Sequence, residues 1–96
     1  MSALDRGVIG ISTFGKLENR IKAKPTPNDI SFDDFDKYLI RKGFVLFSKN
    51  GSHYVYVHPV DNQRFKLTIV KPHGRSGGVK PYYISVVLNF IEDYEL

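Results

Sequence analysis

The sequence predicts an α+β domain of order helix, strand, strand, strand, helix. Its three-stranded antiparallel sheet is covered by helices on one face, and a short helical extension precedes the domain. Three observations predict this. Apolar residues follow helical spacing between Ser31 and Lys42, three strand-like runs lie between Phe44 and Val70, and a second helical stripe follows Pro81. A chain of 96 residues, 42% of them hydrophobic, can bury one small core and no more.

The elements are justified in order. Leu17 and Ile21 lie four apart among polar residues, so Phe14 to Lys24 is a short, weakly amphipathic helix. Pro25-Thr26-Pro27-Asn28 breaks it, because proline removes a donor and restricts its predecessor. Residues 1–30 are therefore read as an extension and connector, and residues 31–96 as the domain proper. Ser31 can cap the next helix, with Asp33 and Asp34 favouring the positive end of its dipole. Phe32, Phe35, Tyr38 and Leu39 form its apolar stripe; Arg41, Lys42 and Gly43 end it.

The first strand run is Phe44 to Phe47, followed by the turn-forming Asn50-Gly51 pair. His53 to His58 is the second, stopped by Pro59. In the third, Arg64 to Val70, residues Phe65, Leu67 and Ile69 share one face, with Arg64, Lys66 and Thr68 on the other. The expected outer face is thus open and basic. A glycine-rich loop, Lys71 to Gly78, leads to Pro81, and Ile84, Val87, Leu88 and Ile91 form the last stripe.

Composition narrows the function. There is no cysteine, which excludes disulfides, thiolate metal sites and cysteine nucleophiles. No apolar run approaches the roughly 20 residues of a membrane helix, and the N-terminus does not read as a signal peptide, so a cytoplasmic protein is expected. The net charge of +4 is unevenly spread: +3 over residues 1–28, −3 over 29–40, +7 over 41–80 and −3 over 81–96. Such a basic block suits a polyanion partner, or else is a solvated face.

The three histidines, His53, His58 and His73, have no helical metal-ligand spacing, so no metal is expected. No phosphate-loop, nucleophile-elbow or dinucleotide motif is present, and no cofactor is expected. His53 follows the Gly51-Ser52 turn inside the basic block. An imidazole beside cations suits metal-free cleavage of RNA, in which a base takes the proton of the 2′-hydroxyl. A hydrogen-bonded strand histidine is the other reading, and the residues alone leave both open.

The stretch from Phe32 onward resembles the HicA toxins of type II toxin–antitoxin pairs. The resemblance rests on Lys42-Gly43-Phe44, Gly51-Ser52-His53-Tyr54-Val55-Tyr56-Val57-His58-Pro59, the strand to Val70, Pro72-His73-Gly74 and Lys80-Pro81-Tyr82-Tyr83. It implies a double-stranded-RNA-binding-domain-like fold, cleavage of mRNA that arrests growth, and neutralisation by a HicB-like antitoxin. It also implies that His53 is catalytic, that His58 is structural or a minor phosphate contact, and that His73 is a second acid/base or a phosphate ligand. Lys49, Ser52, Arg64, Lys66, Lys71, His73, Arg75 and Lys80 would then hold RNA. A non-catalytic RNA-binding module of the same fold is the alternative. Met1 to Thr13 matches no part of the family pattern.

Overall fold

The computed structural model describes residues 13–74 and 77–96. Its elements, among the described residues, are α1 (Thr13–Ile21), α2 (Phe32–Arg41), β1 (Val45–Asn50), β2 (His53–Val57), a 3-10 turn (Pro59–Asp61), β3 (Lys66–Val70) and α3 (Pro81–Asp93). The strands form an antiparallel meander with β2 in the centre. The α-β-β-β-α order is the expected one. Arg75 and residues 1–12, on which readings were made above, lie outside the described residues.

Capping fixes the helices. The Ser31 hydroxyl accepts the Asp34 N–H at 3.1 Å, and Pro81 opens α3 with its φ already helical. Both helices, α2 and α3, pack on the same face of the sheet, where Phe35, Tyr38, Leu39, Tyr56, Leu67, Ile69, Ile84 and Val87 form the core. In α3 the stripe differs from expectation at one position: Phe90 is buried and Leu88 only partly so. Phe90 stacks on Phe65 at 5.0 Å and meets Phe44 at 5.3 Å, and these aromatic partners draw it inward.

β2 begins at His53 as expected, but β1 and β3 start later than their hydrophobic patterns suggest. β1 begins at Val45 and carries a bulge at Phe47, between the pairs Leu46↔Tyr56 and Ser48↔Val55. The β1–β2 turn is made by Gly51-Ser52 rather than Asn50-Gly51, with the positive φ of 62° at Gly51, as a type II′ turn requires. Asn50 is the last residue of β1, paired with His53. The outer face is less basic than expected. Arg64 precedes β3, and register places Val45, Val55, Val57, Thr68 and Val70 there beside Lys66. Val57 is completely buried yet outside the main core, because this face has its own small apolar patch where Lys66 Nζ sits 4.7 Å above the Phe47 ring.

The end of α2 is joined to the end of β2 through His58, which is 5% exposed. Its Nδ1 accepts the Val60 N–H at 3.0 Å, so the ring proton sits on Nε2, which donates to the Lys42 carbonyl at 2.9 Å. Gly43, with φ of 97°, lies against the ring; a Cβ there would come within 2.8 Å of Nε2. At the opposite end of the domain, Val79 N–H donates to the Ile30 carbonyl at 2.8 Å, and Ile30 and Val79 are both fully buried.

The extension is part of the same body. Ile21 is fully buried in the core, and Phe14 stacks on Tyr38 at 5.7 Å beneath the Arg41 guanidinium. Glu18 joins α1 to α2: its carboxylate accepts the Tyr38 hydroxyl at 3.3 Å and pairs with Lys42 at 3.1 Å. Partial burial pushes the Glu18 carboxyl up. Hydrogen bonding and charge from Lys42, the charge of Lys22 and the Tyr38 hydroxyl outweigh that, and hold it below its ordinary value of 4.5. Burial and then Glu18 push Tyr38 above the usual tyrosine range; burial and the 2.6 Å bond to Asp36 do the same to Tyr56.

Two predictions follow from this packing. Gly43→Ala and Gly51→Ala both place a side chain at positive φ, but only the first meets a ring. We expect Gly43→Ala to cost about 2 kcal/mol or more in urea unfolding, more than Gly51→Ala. In the double variant Gly43→Ala/His58→Ala the two losses should add to less than their sum. For Glu18, the folded state binds the proton more weakly than the unfolded chain. Its stabilisation is therefore complete above the ordinary carboxylate value and is lost as pH falls through the lowered one. The urea midpoints of wild type and Glu18→Gln should differ at neutral pH and converge in acid.

Candidate RNA-cleavage site

The histidines at the two ends of β2, His53 opening it and His58 just past it, have opposite surroundings. His58, at the far end, is buried with both ring nitrogens engaged, which makes it structural rather than a phosphate contact. His53 opens β2 directly after the turn and is exposed, and among the described residues no hydrogen bond or ion pair holds its ring. Its main chain is nonetheless fixed. His53 pairs with Asn50 on one side and Val70 on the other, and the neighbouring Ser52 carbonyl accepts the Lys71 N–H at 2.7 Å. A rigid backbone thus carries an imidazole open to solvent.

Aromatic rings arrange the cations at this end. Tyr54, next to His53, faces the helices and meets Phe32 of α2 at 4.6 Å. Lys49 Nζ lies 5.2 Å over Tyr54, and Lys71 Nζ lies 5.4 Å over Phe32. Two ammonium groups from two different strand ends are therefore held over one aromatic pair on the helix-facing side, at the sheet end whose outer face carries His53. The alternation of His53-Tyr54-Val55-Tyr56 signals that the two tyrosines share a face. Phe32 as the partner of Tyr54 is a tertiary fact that no local pattern shows.

The other predicted residues divide by position. Ser52 is in the turn, and exposed His73 follows Lys71 by two residues. Lys80 is the N-cap of α3, whose first turn carries no acid. The Tyr83 hydroxyl accepts the Val70 N–H at 3.4 Å, which anchors the start of α3 at the sheet end that bears His53. Arg64 and Lys66 are elsewhere. Lys66 pairs with Val57, four residues along β2 from His53, or roughly 13 Å at strand spacing. None of the three strands contains an Asp or Glu, and among the described residues no three His, Cys, Asp or Glu side chains converge as metal ligands.

This arrangement, a meander with an exposed histidine after a Gly-Ser turn, is encoded in the segment matched by one protein-family model. Residues 32–89 match the model described as HicA toxin of bacterial toxin-antitoxin. The chain belongs to the HicA toxin family. It is thereby a toxin of a toxin–antitoxin system, with an antitoxin as its kind of partner. The match begins at the first residue of α2 and covers the sheet and most of α3, so α1 and its connector lie outside it. Comparisons with curated proteins and with solved structures give no match. Among the described residues, no helix of this HicA-family chain is long and apolar enough to cross a membrane.

Proposed function

We propose that this HicA-family toxin is a metal-independent endoribonuclease that cleaves mRNA in the cytoplasm, with His53 as its catalytic residue. The observation that carries the reading is the contrast between the two ends of β2. One histidine is spent on the fold, and the other stands exposed and unengaged at the sheet end that also carries Lys49 and Lys71.

His53 takes the proton of a ribose 2′-hydroxyl, and the 2′-oxygen attacks the adjacent phosphorus. The P–O5′ bond breaks, leaving a 2′,3′-cyclic phosphate, and the departing 5′-oxygen takes a proton from His73 or from water. Lys49 and Lys71, oriented over their aromatic rings at the same sheet end, hold the phosphates next to the cut. Gly51 and Ser52 set the approach to His53, and Lys80 lies at the same end of the fold. Arg75 belongs to the loop that follows Lys71 and is assigned to RNA by its charge. Lys66 and Arg64, along the sheet, hold phosphates that flank the cut.

A HicB-like antitoxin neutralises the toxin by covering His53. Strands that carry lysines and no carboxylate suit an acidic partner surface. RNA binding without cleavage is the second reading. It is favoured by one observation, that among the described residues no carboxylate orients the His53 ring.

Cleavage of purified mRNA in EDTA separates the two. His53→Ala should lower the rate about 100- to 10,000-fold while binding persists. Equal rates would leave a binding module, and loss of wild-type activity in EDTA would overturn the metal-free mechanism. Position should also show in substrate length. Lys71→Ala should slow cleavage of short and long RNAs alike and lower the salt slope of binding by about 0.7. Arg64→Ala and Lys66→Ala should weaken only the longer ones.

A further inference from the structure

Tyr82 is 68% exposed, the most exposed large hydrophobic side chain among the described residues, and nothing in the packing explains it. It sits in the first turn of α3, two residues after Lys80. Its ring meets that of Tyr83 at 5.9 Å in an edge-on arrangement. Tyr83 in turn is half-buried and tied by its hydroxyl to the Val70 N–H, and Val70 is the strand partner of His53. The pair therefore has one tyrosine that fixes the position and one that presents a ring to solvent. That ring stands at the His53 end of the sheet, in a segment with Lys71 and Lys80 and no acid between Val70 and Tyr82.

In-line attack by a 2′-oxygen requires the two nucleotides at the cut to leave helical stacking, and a base taken out of a stack exposes a π-face. A fixed aromatic ring beside cations is the surface that receives such a base in single-stranded RNA recognition. An aliphatic protein partner would gain little from it at this point. Of the exposed aliphatic residues among those described, only Val70, at 37%, lies at this end, whereas Val45, Leu46 and Ile40 lie on other elements.

We propose that Tyr82 is a stacking platform for an unpaired base of the RNA next to the cut, so that the toxin selects single-stranded substrate. The inference rests on the ribonuclease reading given above. It adds a substrate contact and a strand requirement to it.

The test uses the full chain carrying His53→Ala, so that RNA binds without being cut. A fluorescein-labelled single-stranded RNA of about ten nucleotides, within the span such sites hold, is titrated by anisotropy against this parent and against its Tyr82→Phe and Tyr82→Ala derivatives. Because Tyr82 is exposed, thermal unfolding should be the same for all three. Tyr82→Ala should weaken binding about 5- to 150-fold, Tyr82→Phe should match the parent, and the salt slope should not change. The same sequence annealed to its complement should bind weakly and be indifferent to Tyr82. Equal binding by Tyr82→Ala and the parent would overturn the platform while leaving the ribonuclease reading intact, even if antitoxin binding were lost. So would a Tyr82→Phe variant as weak as Tyr82→Ala, since the hydroxyl and not the ring would then be the contact. If the parent binds no RNA of either form, the ribonuclease reading falls and the platform with it.

Discussion

The imidazole of His58 holds together three stretches that are distant in sequence, Lys42 to Phe44, its own and Phe90. The Lys42 carbonyl, one of those a helix leaves unpaired at its C-terminus, receives the Nε2 proton, and the Val60 N–H is received by Nδ1. The ring also meets Phe44 edge-on at 4.8 Å and Phe90 at 5.5 Å. It thereby fixes the end of α2, the entry to β1, the exit of β2 and the last turns of α3. No apolar residue could do the same, since two part-buried backbone groups would lose their partners. Gly43 is required for the same reason: the chain must turn at positive φ and leave room for the ring.

With rigidity concentrated at that end, the opposite end is free to be polar and exposed. The core aromatic cluster of Phe44, Phe65 and Phe90 lies beside His58, whereas the His53 end has rings that serve as supports for lysines. An ammonium group on a flexible four-carbon stem is normally a poor instrument for holding a phosphate at one point. Placed over an aromatic face it loses part of that freedom before any ligand arrives, so less ordering is needed on binding. The type II′ turn has the equivalent effect on the backbone of His53. Exposure of the imidazole and order of its main chain are therefore compatible, and this end of the molecule has both.

Local rules made the helices and the strand order legible. Ser31, Asp34, Gly43 and Pro81 act through contacts with their own neighbours, and such signals survive without knowledge of the fold. What required the structure was everything set by partners far along the chain. Sequence left His58 between a structural and a phosphate-binding role, because only the positions of Lys42 and Val60 decide it. Periodicity assigned Leu88 to the core in place of Phe90, whose burial follows from three aromatic partners on other elements. Arg64, Lys66, Lys49 and Lys71 were equivalent as charges in a basic block. Register separates them, because an antiparallel meander sends the start of β3 to the end of the sheet opposite His53.

The extension acquires its meaning from a single residue. Lys42 gives its carbonyl to His58 and its ammonium to Glu18, so the clasp of the domain and the docking of α1 meet on one side chain and its own backbone. The Lys42 chain also passes over the Tyr38 ring, whose hydroxyl completes the Glu18 site, and Ile21 and Ile30 carry the extension into the core on either side of the proline-rich connector. A helix outside the family-matched segment is thus coupled to the residue pair that defines that segment's rigid end. Loss of α1 would uncover Phe14's partner Tyr38, remove the charge that opposes Lys42, and loosen the helix end on which His58 closes. Helix α1, unreadable as part of a domain from sequence, is for this reason better understood as a brace on the end of the fold remote from His53.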